Sequence, residues 1–447
     1  MAEHEGLAAR MLDAAIDAGA DAADLLVSSG DSLSVSVRNG ALDQVERSEG
    51  VSLGIRVLVG RRQACVSAAD TSDATIAAMV ERAVAMAREA PEDPWCGLAD
   101  PSELATDRDD GPLDLVDREP MPSPEKLMDA ALAAEAAAIA VPGVSKSIGA
   151  EASSTIANVY IAASNGFAGG FLRTSHGIGV SAIAGEGTAM ERDYAQEGRL
   201  HRRDLSSPEE IGRLAGERTA ARIGSGRPPT GAFPVVFDER VAGSLVAHLL
   251  NAANGAMVAR GSSWLRDRMG EPVLPKGLDL VEDPRRKRTG GSSMFDAEGL
   301  PTAKRAVVRD GVLEGWILDL ATARQLGLRS TANAKRPLAS PPTPSPGNIA
   351  LTPGAVGREG LLSEMGTGLL VSSLIGATIN STTGDYSRGA SGFWVEGGEI
   401  VRPVNECTIA GNLRDMLRSI RPANDGQSWK QWVVPSLLVE GLVIAGA

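Results

Sequence analysis

The residues most able to do metal chemistry surround His248, in the stretch VAHLLNAANG at 246–255. A zinc-binding helix of a hydrolase follows its first His with a Glu that activates water and with a second His one turn later. Here the neighbours are apolar or amide side chains, so the metal ligands and the general base are both missing. The positions of this degenerate metal-site helix are His248, Leu249, Asn251, Ala252, Ala253 and Asn254. We therefore predict a helix that holds no metal, no other cofactor and no catalytic residue.

The remaining histidines and cysteines give little support for another catalytic site. No two of the four histidines have the spacing that would place them on one helix face around one metal ion. His4, in the N-terminal segment, and His201, in a polar run, are expected to be solvated, whereas His176, beside a strand, could contact a ligand. Cys407 lies in an alternating strand pattern, which favours a small core residue over a nucleophile. The sequence also lacks the motifs of phosphate-binding loops.

A glycine-rich segment, GDYSRGASGFW at 384–394, combines small residues with Arg and aromatic side chains. This combination suits close backbone approach with a few anchoring side chains. We predict that the segment lines a groove or a subunit contact, with an ordinary turn between two strands as the alternative. The side chains predicted for this contact are Tyr386, Ser387, Arg388, Phe393 and Trp394. The Pro-rich stretch 335–354 is a second long loop, which is either functional or disordered.

The sequence before residue 223 predicts an α+β domain, 1–222, in which the order helix, hairpin, helix occurs twice. Apolar residues at helical spacing predict helices at 5–18, 76–87, 127–139 and 208–221, and alternating runs between them predict strands. Asn39-Gly40 and Asn165-Gly166 mark a turn in each half, and the first suits a two-residue hairpin. We expect two similar helix–hairpin–helix halves, at about 1–93 and 124–222, with two unrelated hairpins as the alternative.

After the Gly- and Pro-rich border at 223–231, the pattern changes to one long helix and many short strands. The helix is predicted at about 239–257 and contains the degenerate metal-site positions. Short apolar runs separated by Gly and Pro then indicate a mainly antiparallel β domain, barrel-like or sandwich, with a few helices, over 232–447. Two domains also fit the length of 447 residues.

The charge and hydropathy of the chain exclude several classes of function. A formal charge of −13 and a pI near 5.0 disfavour contact with nucleic-acid backbones and anionic lipids. There is no apolar run of 18 residues, and the first residues are acidic where a signal peptide is basic. We expect a cytoplasmic protein with no direct nucleic-acid or membrane partner, whose three cysteines are reduced.

Several long runs resemble the TldE/PmbA branch of the TldD/TldE metallopeptidase-related family. The runs are RNGALDQVERSEGVSLGIRV (38–57), VLPKGLDLVEDP (273–284), SSMFDAEGLPTAKRAVVRDGVLEGWILDLATARQLGLRSTANA (292–334), GDYSRGASGFWVEGGEI (384–400) and TIAGNLRDM (408–416). The resemblance extends over nearly the whole chain and is specific.

In that family the catalytic TldD branch carries an HExxxH helix and a C-terminal cysteine ligand, and it works as a heterodimer with TldE on unfolded peptides. The resemblance places the helix of His248 at the HExxxH site, where Leu249 and Ala253 replace the Glu and the second His. The segment at the position of the cysteine ligand reads NDGQSW (424–429), and no cysteine follows Cys407. The family's links to proteolysis, peptide maturation and modulation of DNA gyrase come with the resemblance alone.

Three functions follow as hypotheses. The first is a non-catalytic subunit that pairs with a TldD-like zinc peptidase and helps to form its channel for unfolded peptides, as a heterodimer or, without that partner, as a homodimer. A peptide could be held there by backbone pairing to a strand edge of the β-rich domain. The second is an autonomous hydrolase that uses non-metal chemistry, with Ser387, Arg388 or Cys407 as its candidate residues. The third is a stand-alone protein that binds unfolded peptides.

Overall fold

The computed structural model describes residues 2–446, and its N-terminal unit is built around one antiparallel sheet of six strands, ordered β3-β2-β1-β4-β5-β6. The halves of the sheet meet at the β1–β4 pair, and each half is a helix, three strands and a helix. The elements are α1 (Ala2–Asp17), β1 (Ala22–Arg38), β2 (Ala41–Val59), β3 (Arg62–Ala68), α2 (Asp73–Glu89), α3 (Pro124–Ile139), β4 (Val144–Ala163), β5 (Ala168–Ala184), β6 (Glu191–Arg199) and α4 (Pro208–Ala220). The predicted hairpin of each half thus belongs to a three-stranded meander, and the origin of the halves by duplication stays a prediction.

All four helices of this unit cover the same face of the sheet. Side chains alternate between the two faces of a strand, so residues two apart share a face. In β1, Leu25 and Val27 pack under α1 and α2, and Leu33, Val35 and Val37 pack with α3 and α4. The opposite face of the sheet is therefore free of helices and turns toward loops of the C-terminal unit.

The first Asn-Gly turn forms as predicted. Asn39 and Gly40 have φ angles of 55° and 72°, which is the left-handed pair that a two-residue hairpin requires. Their backbone N–H groups donate to the carboxylate of Glu135 in α3, so the turn is also tied to a helix. The second turn is longer, because β4 ends at Ala163 and β5 begins at Ala168.

The C-terminal unit contains a closed barrel of five strands and a second five-stranded sheet, ordered β10-β9-β8-β13-β18. The barrel runs β16-β15-β14-β7-β19 and closes where β19 pairs back onto β16; β7 and β14 are parallel, and the other neighbours are antiparallel. The elements are β7 (Gly231–Phe237), α5 (Glu239–Ala252), α6 (Gly255–Ala259), β8 (Leu280–Glu282), β9 (Arg305–Arg309), β10 (Val312–Leu313), α7 (Leu320–Leu326), β11 (Ala334–Lys335), β12 (Thr343–Pro344), β13 (Ile349–Leu351), α8 (Arg358–Met365), β14 (Gly368–Ile379), β15 (Asp385–Glu396), β16 (Glu399–Asn412), α9 (Leu413–Arg418), β17 (Arg421–Pro422), β18 (Trp432–Val433) and β19 (Leu437–Ala445). The predicted barrel-like, mainly antiparallel character is confirmed.

A buried ionic network joins the two units at the edge strand β6. The carboxylate of Asp193 accepts from Arg240 at 2.7 Å and from Arg222 at 3.2 Å. Arg222 also donates to the hydroxyls of Ser372 and Ser391, on two barrel strands. These contacts fix the orientation of the barrel and of the start of α5 relative to the N-terminal sheet.

Within residues 2–446, every helix is too short or too polar to cross a lipid bilayer.

Candidate functional site

The helix α5 is held by a cap and by an apolar stripe. Asp238 caps its first turn by accepting from the backbone N–H of Arg240, and Leu245, Val246 and Leu249 are buried at helical spacing. The helix ends at Ala252, earlier than predicted, because Asn254 leaves the helical conformation and caps the short helix α6. The chain therefore bends at the end of the degenerate metal-site segment.

His248 lies against Tyr386 of the barrel strand β15. Their ring centroids are 6.0 Å apart in an edge-to-face arrangement. The Nε2 atom of His248 and the hydroxyl of Tyr386 are both buried, and neither has a hydrogen-bond partner among the described residues. Burial lowers the pKa of His248 below 6.5, and the positive charge of Arg388 lowers it further. Burial raises the pKa of Tyr386 to about 12. At neutral pH the two rings are therefore uncharged.

These groups do not fit a zinc ion. Leu249 and Ala253, at the positions of the Glu and the second His in an HExxxH motif, have no exposed surface and pack in the core. Among the residues described, there is also no group of three His, Cys, Asp or Glu side chains that could share a metal ion. A neutral imidazole beside a phenol and a guanidinium lacks the charge and the donors that zinc takes in proteins.

One face of α5 borders a groove of about 640 Å³. The face presents Ala247, Leu250 and Asn251, which recur at helical spacing, and Asn254 follows just after the helix. The opposite walls come from segments 344–346 and 430–432, and Lys335 stands at one side. Asn254 anchors one wall, because its Nδ2 donates to the carbonyl of Pro344 at 2.8 Å. The structure thus brings α5 next to the segment that directly follows 424–429.

The glycine-rich segment 384–394 forms most of β15 and does not line this groove. The side chains of Tyr386 and Trp394 are each 2% exposed, so the prediction that they form a groove or a subunit contact is wrong for this chain. Trp394 packs edge-to-face on Phe233, with centroids 5.0 Å apart, inside the barrel. Gly392 is needed for strand packing, because a Cβ there would lie 1.9 Å from the carbonyl oxygen of Leu370.

The other predicted side chains of the segment are divided between the two sides of β15. Phe393 packs in the cluster under α8 on the outside of the barrel. Arg388 donates from Nε to the carbonyl of Gly376 at 2.6 Å, near the end of the strand. Ser387 and Arg388 remain partly exposed. A subunit contact through these two residues stays a prediction.

Three domain patterns of one family match this chain. The pattern described as PmbA/TldA metallopeptidase domain 1 matches residues 23–87, the central domain matches 117–223, and the C-terminal domain matches 230–446. The Metalloprotease PmbA of Escherichia coli O157:H7 is 37% identical over 428 residues, which cover 95% of this chain and 92% of that protein. The chain belongs to the PmbA/TldD family.

Solved structures of similar proteins share the whole fold. A crystal structure described as a candidate modulator of DNA gyrase, from Bacteroides thetaiotaomicron, superposes with a TM-score of 0.92 at 26% identity and covers 100% of both chains. TldE from Thermococcus kodakarensis has a TM-score of 0.83 over 98% of this chain and 100% of its own; its identity of 20% shows the fold alone. The similarity to the relative named PmbA is consistent with assignment of this chain to the PmbA branch of the PmbA/TldD family.

Two of the other predictions about reactive residues were wrong. His4 and His201 are 7% and 5% exposed, although both were expected to be solvated. His201 is buried under the segment of Asp114, which folds back over the strand end. Its Nε2 lies 3.0 Å from the carbonyl oxygen of Asp114. His4 is covered by packing of α1 on the sheet, and burial lowers its pKa. Polar neighbours in the sequence do not show whether distant parts of the chain will bury a side chain.

His176 and Cys407 are both buried. His176 lies with its Nδ1 3.0 Å from the hydroxyl of Ser154 and its Nε2 3.4 Å from the carboxylate of Asp117. Cys407 is a core residue, as predicted: its thiol donates to the carbonyl of Ala390, and burial raises its pKa to about 11. A thiol with this pKa is almost wholly protonated at neutral pH and is a poor nucleophile.

Sequence reasoning missed most of the groove. Lys335, Lys430, Gln431 and Trp432 belong to its walls but carry no motif. The spacing of Ala247 and Asn251, one helical turn apart and outside the apolar stripe, was a usable signal for the groove face.

We expect the purified chain to hold less than about 0.1 zinc ion per chain after dialysis, because a stable protein zinc site needs three or four nitrogen, sulfur or carboxylate ligands. Inductively coupled plasma mass spectrometry on the wild type and on His248→Ala measures this. One tightly held zinc ion that disappears in the variant would show that His248 is a ligand after all.

Proposed function

We propose that this chain is a non-catalytic, TldE-like subunit of a TldD-like zinc metallopeptidase and that the groove on α5 forms part of the channel for unfolded peptides. One observation carries the proposal. The resemblance implies that α5 corresponds to the catalytic helix of the TldD branch, and α5 presents small and amide side chains to a groove of about 640 Å³ and buries Leu249 and Ala253 in the core. The metalloprotease names of the relatives supply the reaction class.

The groove suits an extended peptide better than a strand edge of the barrel does. Each of the five barrel strands pairs with a neighbour on both sides, which uses most of the backbone groups that a peptide strand would need. The groove instead offers the exposed amide of Asn251, the indole of Trp432 and the Pro344 and Pro346 rings. Side chains of this kind can position a peptide without selecting one sequence.

Such a subunit contributes a surface that positions the peptide, and its partner contributes the catalytic groups. Hydrolysis needs an activated water and a general base, which zinc and a Glu would provide in the partner. A wall that holds the peptide in line with those groups acts through positioning. A heterodimer with a TldD-like subunit accounts for both contributions, and a homodimer is the proposed state when that subunit is missing.

We expect Asn251→Trp to raise the KM for an unstructured peptide about tenfold in a mixture with the TldD-like partner, with little change in kcat, because the indole fills the groove without touching the metal site. Initial rates over a range of peptide concentrations measure this effect. The matched control is Gln44→Trp, which adds the same ring at an exposed position on β2, far from the groove.

If Asn251→Trp left KM unchanged while thermal unfolding showed that the variant was folded, the groove would not be part of the channel. An equal rise in KM with Gln44→Trp would indicate a nonspecific effect of the added ring.

A further inference from the structure

A second cavity, of about 750 Å³, lies between the helix-free face of the N-terminal sheet and loops of the C-terminal unit. We name it the inter-unit chamber; the loops that border it are parts of 284–303 and 331–347. The chamber and the groove on α5 have Lys335, Pro344, Ser345 and Gln431 in common. The two cavities therefore adjoin at these four residues.

The sheet side of the chamber is apolar. Leu26, Val159, Ile161 and Phe171 stand on the face of the sheet that no helix covers, and Phe295 faces them from the C-terminal unit. Apolar surface that borders a cavity of this size gains free energy when an apolar group covers it, at about 25 cal/mol per Å². The wall thus favours an apolar side chain of a ligand.

Arg173 places a positive charge in this apolar wall and forms no salt bridge with a carboxylate among the described residues. Its two terminal nitrogens each donate to a backbone carbonyl, of Gly290 and of Ser292, at 2.6 Å, and its guanidinium stacks on Phe171 at 5.0 Å. A guanidinium has five N–H donors, so three remain without a protein acceptor in these contacts. Burial lowers the pKa of Arg173, and the charge of Asp110 opposes this shift in part. Lys335, at the passage to the groove, is exposed and forms no ion pair with the described residues.

The carboxylates of the same wall are already satisfied. Glu282 accepts from Arg305, Asn333 and the backbone of Gly347. Asp296 accepts from three backbone N–H groups. Arg336, the third cation of the wall, pairs with Asp24 at 2.6 Å. Arg336 shares Asp24 with Arg56. Arg173 and Lys335 form no salt bridge among the described residues, although the charge of Asp110 acts on Arg173. The formal net charge of the chain is −13.

We propose that the inter-unit chamber binds the carboxyl-terminal end of a peptide whose last residue is apolar, with Arg173 and Lys335 holding its carboxylate. The inference rests on the proposed role of the groove, because the rest of such a peptide would lie on α5. An apolar side chain covers the sheet wall, and the terminal carboxylate supplies the missing counter-charge. An arginine held by two carbonyls is oriented before the ligand arrives, which favours a charge-assisted hydrogen bond.

Fluorescence anisotropy on the full chain tests the proposal with an amino-terminally dansylated peptide, Ala-Gly-Ala-Leu-Phe, as the free acid and as the carboxyl-terminal amide. We expect the acid to bind at least tenfold more tightly than the amide. Arg173→Gln should abolish this difference, and Lys335→Gln, an exposed change that leaves the fold intact, should reduce it about threefold. The matched control is Arg309→Gln, which removes an exposed arginine from β9 and should preserve the difference.

Equal affinity for the acid and the amide would overturn the proposal while leaving the groove as a peptide site. Absence of binding by either form would overturn both. N-acetylphenylalanine is the competitor that separates a peptide end from a free apolar acid: displacement of the peptide at concentrations near the peptide's own Kd would show that the chamber recognises an acid alone. If Arg173→Gln does not fold, the outcome is decided by two other measurements. These are the difference in affinity between acid and amide for the wild type and the same difference for Lys335→Gln.

Discussion

Mixing this chain with a TldD-like partner should raise cleavage of an unstructured peptide at least about a hundredfold over the partner alone, and the chain alone should give no cleavage above background. The first expectation follows from peptide positioning, which can contribute several kcal/mol to a barrier. The second follows from His248, a neutral imidazole packed on Tyr386, with Leu249 and Ala253 in the core where a base and a second ligand would stand. Loss of a metal-bound water and its base removes the whole metal-dependent rate enhancement.

The measurement is a reconstitution with three samples, the chain, the partner and the mixture, each with and without a chelator. The chelator should stop cleavage by the mixture, because the partner holds the metal. A mixture with the Asn251→Trp chain separates the role of the groove from mere stabilisation of the partner. Chelator-resistant cleavage by the chain alone would defeat the proposal and favour an autonomous hydrolase.

Asp193→Ala should destabilise the protein by about 3–5 kcal/mol, because it removes the carboxylate that the buried guanidinium groups of Arg222 and Arg240 share, and Arg222 keeps only a contact of 3.7 Å with Glu191. Asp193 is 8% exposed, so water cannot replace the lost carboxylate. Urea unfolding at pH 7, followed by tryptophan fluorescence, measures the change. Glu314→Ala removes a carboxylate from an exposed pair with Arg309 and should cost less than about 1 kcal/mol.

The same carboxylate predicts how stability depends on pH. Burial acts to raise the pKa of Asp193, but the hydrogen bond and the charge of Arg240, with the charge of Arg222, outweigh burial and lower it below 3.8. A group whose pKa is lower in the folded state stabilises the fold fully above its unfolded pKa, and this contribution disappears as the pH falls through the folded pKa. The wild type should therefore lose more stability than Asp193→Ala below pH 4. Parallel pH profiles for the two proteins would contradict the assigned role of Asp193.

Local patterns in the sequence were enough for the elements that carry their own signals. The apolar stripe of α5 predicted the helix, since it depends on residues within one or two turns. Asn39-Gly40 predicted its turn, because these residue types tolerate positive φ. The loss of the Glu and the second His at 249 and 253 was also visible, because a helical motif is local.

Only the tertiary structure decided which surfaces these elements share. Tyr386 and Trp394 turn into a barrel that closes when Ile409 pairs with Ile444, 35 positions along the chain, and nothing within β15 shows which of its faces will be enclosed. His4 and His201 are buried by segments distant from them in sequence. The groove and the inter-unit chamber combine α5, the helix-free sheet face and loops from both units. The periodicity of the apolar residues predicts which side chains will be buried. Which segment buries them depends on long-range packing, in which many weak contacts must be satisfied together.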